Sequence, residues 1–327
     1  MTALCVISVF ITTTFGTGWT LLSDLPEFGY PTGIYSPDDQ TFVVTLEKSF
    51  SGSFISNEIK IDLSGNQSET LSEHYAGSSL FKETLFFASP FPEDIEDPST
   101  FAAITRVTLS GDTLWTTQLD SIEGRVETRQ PIIPCREGGC FAVFSPDNAD
   151  FIWKTYKLSD LGEVQMRSEF QMQGGPVIEI SSVIETDESN FLILGTTDDF
   201  GMNLYMFLVG IKSDGNQYIS LKKDLRFHAS GTIVEIDEDG NIYIAGYTGF
   251  EREDGYFMPP QNSDIFLIKL DSAGNELWSS VYEYPKENRP VFMTISENGI
   301  VAILMKSFSY ESNDELEQYS VIIYQQN

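Results

Sequence analysis

Basic residues are scarce in this chain. It carries 19 Lys and Arg against 49 Asp and Glu, a formal charge of −30 over 327 residues. A surface this acidic repels phosphate backbones, which excludes nucleic acid as a partner, and it disfavours docking on anionic membranes. Histidine is rarer still: His74 and His228 are the two present. There is no Gly-x-Ser-x-Gly elbow and no long stretch with the i, i+3, i+4, i+7 apolar spacing of an amphipathic helix. These absences argue against an enzyme with a recognisable nucleophile or His-based acid–base site, and against a helical fold. Cysteines number three, and Cys135 and Cys140 in PCREGGC (134–140) have too few Cys or His neighbours for a zinc site.

Long apolar runs are also missing. Residues 3–15 (ALCVISVFITTTF) are too few to span a bilayer, and the small residues Gly16 and Gly18 follow them. This segment reads as a signal peptide over residues 1–18. The mature chain is then 19–327, a single domain outside the cytoplasm with no membrane insertion.

Aromatic residues, by contrast, are abundant. The 24 Phe and 14 Tyr favour strands. Two submotifs recur along the chain. The first is a polar turn followed by an apolar run, at 36–48, 81–91, 136–147, 187–198, 237–248 and 296–307. Runs of this kind suit strands covered on both faces. The second is a strand–glycine turn–strand hairpin, at 59–71, 104–119, 155–170, 208–223 and 267–282. Its turn glycines are Gly65, Gly111, Gly162, Gly215 and Gly274. A sixth hairpin is divided between the chain ends: YSVIIY (319–324) matches the strand before the turn, and WTLLSDL (19–25) the strand after it. Trp19 stands where Trp115 and Trp278 stand. The pattern predicts an all-β, six-bladed β-propeller of four-stranded antiparallel blades. Its ring is closed by the N-terminal outer strand pairing with the C-terminal strand.

Residues 233–282 carry DEDGNIYIAGYT and DIFLIKLDSAGNELWSSVY, an Asp-x-x-Gly-Asn turn and aromatic strand followed by a lysine strand, a glycine turn and a tryptophan. This blade resembles the bacterial SBBP-type β-propeller repeat, and 187–223 and 104–119 match it in part. The resemblance implies a secreted or cell-surface propeller. It implies no reaction, because propellers host many functions.

Long acidic loops fall between the second and third strands of the expected blades, at 89–100, 196–203, 248–264 and 307–318. On the same face of a propeller, the inter-blade loops would bring Arg129 and Arg289. Carboxylates, rings and a few arginines on one rim suit carbohydrate or peptide recognition. The candidate binding residues are Tyr256, Phe257, Asp254, Arg129, Arg289 and Tyr310. Asp237, Asp239 and Asn241 alternate as in a calcium loop, but position twelve is Thr248 and not Glu, so a polar hairpin turn is the simpler reading. Ca²⁺ is the one cofactor left open. Cys135 and Cys140 flank a tight turn and are expected to form a disulfide in an oxidising compartment. The function expected is a monomeric binding module for a glycan, peptide or surface partner. A polysaccharide hydrolase or lyase, or a structural surface repeat, are the alternatives.

Overall fold

The structure is a computed structural model. It describes residues 14–15, 19–25, 30–38, 40–50, 53–72, 84–91, 101–108, 112–121, 132–144, 152–171, 177–198, 204–223, 229–248, 252–253, 256–257, 263–283, 287–311 and 314–326. Every described element is a strand or a turn.

Two short N-terminal strands, β1 (Thr14–Phe15) and β2 (Trp19–Asp24), precede six sheets. The first sheet is a meander of β3 (Tyr30–Asp38), β4 (Thr41–Phe50), β5 (Ser53–Asp62) and β6 (Gln67–Ser72). The second contains β7 (Thr84–Phe91), β8 (Phe101–Thr108) and β9 (Thr113–Ser121). The third contains β10 (Ile132–Pro134), β11 (Cys140–Phe144), β12 (Trp153–Leu158) and β13 (Val164–Phe170). The fourth contains β14 (Val177–Glu185), β15 (Phe191–Asp198), β16 (Leu204–Ile211) and β17 (Gln217–Lys223). In the fifth, β18 (Ala229–Ile236) and β19 (Ile242–Thr248) are followed by a separate two-stranded ribbon, β20 (Arg252–Glu253) and β21 (Tyr256–Phe257). The sheet then resumes with β22 (Asp264–Leu270) and β23 (Glu276–Tyr282). The sixth has β24 (Glu287–Ile295), β25 (Val301–Glu311) and β26 (Asp314–Tyr324). It is completed by β2, which pairs antiparallel with β26 in the register Trp19↔Tyr324 and Thr20↔Ile323. The split hairpin read from the sequence is therefore present as a strand pair.

The turns explain why the meanders form. In the fifth sheet, Gly240 N–H donates to Asp237 O and Asp237 N–H to Asn241 O, both at 3.0 Å. Asp237 Oδ1 accepts from Asn241 N–H at 2.8 Å, and Gly240 has φ +79°. Asp271 and Asn275 repeat the arrangement in the next hairpin, with the same carboxylate-to-amide contact at 2.8 Å. The Asp-x-x-Gly-Asn signature is thus a turn whose aspartate caps the backbone and whose glycine takes the left-handed conformation. In the fourth sheet Ser189 holds the equivalent position at φ 56°.

Burial follows the order of strands. In the third and fourth sheets the second strands, β11 and β15, are covered along almost their whole length, while the last strand β13 alternates. The chain forms two compact units: Met1–Gly77 with Glu235–Asn327, and Ser78–Val234. In the first, Ile34, Phe42, Val44, Ile59 and Ile61 pack with Ala302, Leu304, Val321 and Ile323 between the first and sixth sheets. Trp278 of the fifth packs against Tyr324 of the sixth with ring centroids 4.8 Å apart and planes tilted by 31°. In the second unit, the third sheet is packed on both sides. Phe141, Val143 and Cys135 face Phe191, Ile193 and Phe207 of the fourth sheet, and Cys140, Ala142 and Phe144 join a cluster with Ile104 and Leu119 of the second.

A polar latch repeats between neighbouring sheets of this unit. Thr117 Oγ1 donates to Gly162 O at 2.5 Å and Ser168 Oγ to Gly215 O at 2.6 Å. In each case an outer strand grips the last turn of the next sheet. Gly162 is needed there because a Cβ would lie 2.7 Å from the Trp115 ring.

The disulfide expected between Cys135 and Cys140 is not formed; both are buried free thiols. Cross-strand pairing of Pro134 with Cys140 puts Cys135 one residue out of register. Successive strand residues point to opposite faces, so the two sulfurs lie in separate core clusters.

Candidate functional site

Arg289, on the edge strand β24 of the sixth sheet, is the sequence candidate around which the structure builds most. It lies directly across from Lys306 in the β24–β25 register, and Glu287 lies across from Phe308. The guanidinium donates through Nη2 to Glu287 Oε1 at 2.5 Å. The Glu287 side chain is 1% exposed, whereas that of Arg289 is 38% exposed. Tyr247 and Phe308 flank the cation, with ring centroids 5.5 and 5.2 Å from Cζ. Lys306 Nζ sits 4.8 Å from the Phe308 ring centre and 5.9 Å from that of Tyr319. Rings hold cations through their quadrupole, so both charges are seated on aromatic faces.

The support beneath this cluster is polar and buried. Asn288 N–H donates to Ser263 Oγ at 2.7 Å, and Ser263 Oγ donates to Asn288 O at 2.8 Å. Ser307 Oγ donates to Asn288 Oδ1 at 2.7 Å. Asn288 and Ser263 are fully buried and Ser307 nearly so. A satisfied buried network of this kind holds its members in one geometry. Sequence reading picked out Arg289 but missed Glu287, Asn288, Ser263, Ser307, Tyr247, Phe308 and Lys306. No local motif marks them, since their contacts join strands far apart in the chain.

At the other end of β24 the same unit contains a cavity of about 660 Å³. Its walls are three hairpin turns, represented by Asp38, Asp237 and Glu297, with Tyr243 and Lys269 at its side. Lys269 Nζ lies 3.2 Å from Asp237 Oδ2 and 4.8 Å from the Tyr243 ring centre. Burial pushes the Asp237 carboxyl up, but the hydrogen bonds from Asn241 and the Lys269 ammonium outweigh it and hold it below the usual range. Its oxygens are taken by Asp239 N–H, both Asn241 donors and Lys269. The calcium-like spacing of Asp237, Asp239 and Asn241 therefore builds a self-closed turn. Among the described residues, no three His, Cys, Asp or Glu side chains gather as a metal-ligand set.

The remaining sequence candidates are not drawn into one place. Tyr256 and Phe257 form β21, paired with Glu253 and Arg252 of β20. Tyr310 pairs with Glu315 near the end of β25. Asp254 and Arg129 lie outside the described residues. Among the described residues no helix is long and apolar enough to cross a membrane.

No family model matches the chain, and no curated protein is similar to it in sequence. The likeness is to solved structures of the β-propeller type. A protein of unknown function from Dyadobacter fermentans superposes with a TM-score of 0.51 at 11% identity, covering 94% of this chain and 100% of that one. An ulvan lyase, a polysaccharide lyase bound to a glucuronate–sulfated rhamnose unit, gives 0.49 at 10% identity over 94% and 83% of the two chains. A neuraminidase-like protein of a bat influenza A virus gives 0.47 at 13% identity over 95% and 98%. At these identities the likeness concerns the fold alone.

Proposed function

We propose that the six sheets are blades of one closed propeller, and that the protein is an extracytoplasmic module that binds carbohydrate at the Arg289 cluster. The support for closure is the sequence repeat, together with the pairing of β2 with β26 inside a single sheet. A closed ring of this length has a radius of gyration of about 20 Å in solution scattering. Two units swinging on a tether would be larger.

The observation that carries the binding reading is a half-exposed arginine seated between Tyr247 and Phe308 on a buried polar support. A rigidly held, partly exposed guanidinium orients the oxygens of a bound sugar, and the partly exposed Tyr247 beside it offers apolar contact. The carboxylate in contact with Arg289 is Glu287, buried and ion-paired. That placement suits it to holding the arginine, not to moving protons on a bound sugar, so binding is favoured over hydrolysis.

A thermal-shift screen of the full chain against oligosaccharides tests the reading. A ligand at one hundred times its Kd adds about 2.7 kcal/mol of stability. A shift with at least one saccharide, lost in Tyr247→Ala, is the expected result. No shift across neutral and acidic panels would contradict it.

A further inference from the structure

Arg289 is under-bonded. A guanidinium has five N–H donors. Among the described residues it makes one hydrogen bond, from Nη2 to Glu287, and its Nε is buried with no acceptor. Lys306 stands at the opposed position on the neighbouring strand. Two cations thus share one end of the sixth sheet in a chain whose formal charge is −30.

Holding them there is costly in conformational freedom, and the structure spends a buried carboxylate, two rings and the Asn288 network on doing so. Here the guanidinium keeps an open side, and the second cation sits beside it on the same ring, Phe308. Both side chains are pre-organised, so little entropy is lost when an acceptor arrives. The fork geometry of a guanidinium matches a planar carboxylate. Carboxylates elsewhere on the surface do not prevent this. At about 0.15 M salt the screening length is about 8 Å, so distant acids are screened while contacting cations are not.

We infer that the sugar bound at this site carries a carboxylate, as a uronate does, and that Arg289 and Lys306 receive it. The inference rests on the carbohydrate-binding reading above.

The test is calorimetric titration of the full chain at 0.15 M salt with a chelator present, so that no metal can bridge ligand and protein. The probes are galacturonate, glucuronate-containing and mannuronate–guluronate oligosaccharides, each with its carboxyl-reduced neutral counterpart. Reduction leaves the linkages and removes the charge. At least one acidic form binds, and its reduced counterpart binds at least tenfold more weakly. Arg289→Lys, which keeps a charge beside Glu287, and Lys306→Gln each weaken the acidic form about tenfold at a temperature where circular dichroism shows the variant still folded; Arg289→Lys also lowers the melting temperature, because it costs the buried Glu287 its hydrogen bond. Equal binding of acidic and reduced forms, or acidic binding untouched by both variants, overturns the inference and leaves the carbohydrate reading standing. Binding of neutral saccharides alone does the same. No binding of any saccharide by the wild-type chain overturns both.

Discussion

The indole Nε1 of Trp115 donates to the backbone oxygen of Asp160 at 2.9 Å, tying the outer strand of the second sheet to the last turn of the third. Trp278 occupies the same place in its own repeat, yet its Nε1 is buried without an acceptor and its ring packs tilted against Tyr324. The difference follows from the chain ends. The sheet after Trp278 is the sixth, whose two outer strands are not joined by a hairpin turn but are supplied by β26 and β2.

Trp115→Phe should therefore cost more than Trp278→Phe. Both changes remove similar ring volume, but the first also removes a hydrogen bond, worth about 1 kcal/mol, and leaves Asp160 O with Arg106 Nη1 as its donor at 3.0 Å. The second removes a donor that had no partner. Urea unfolding of the two variants checks this, and an equal or larger loss for Trp278→Phe would contradict the latch.

The thiols give a second prediction. Burial, with Glu185 as the next cause, pushes the Cys135 thiol up to about 12, and burial likewise raises Cys140. Thiolate is the reactive form, so neither residue should react with a disulfide reagent at pH 8 in the folded protein. Both should react after unfolding without prior reduction. Thiols that stay unreactive until a reductant is added would restore the disulfide that the register disfavours.

Glu235 supplies a pH dependence. Burial raises its carboxyl from the ordinary 4.5 to about 7. Below pH 4.5 folded and unfolded chains are both protonated there, and the group has no effect. Between 4.5 and 7 the unfolded chain loses the proton first, so rising pH favours unfolding, and the penalty levels off above 7. Glu235→Gln should remove that slope and leave the protein more stable at pH 8, by up to about 3 kcal/mol. The difference in unfolding free energy between wild type and variant, followed from pH 4 to 8, measures it. A difference that does not change with pH would show that Glu235 titrates normally.

Local chemistry carried the architecture. Gly65, Gly162, Gly215 and Gly274 lie in turns that need a positive φ, and such needs are visible in the residues themselves. The same is true of the strand after Trp19, because it repeats a pattern seen elsewhere in the chain. The site was legible only at Arg289. Its partner Glu287 is two residues away, but the burial of that carboxylate, like the bonds from Ser263 and Ser307 to Asn288, comes from packing between separate segments and is not marked in the local sequence. The cysteines show the opposite failure. Their spacing suggested a bridge, while the one-residue offset that parts them emerges only from strand register.

Hydrogen exchange of the full chain, with and without the saccharide that gives the largest thermal shift, tests the central claim most directly. The account predicts new protection in peptides covering 245–248, 287–292 and 304–308, where Tyr247, Arg289 and Phe308 lie. Protection confined to the turns at 36–38, 236–239 and 296–299, around the cavity at the far end of β24, would contradict it.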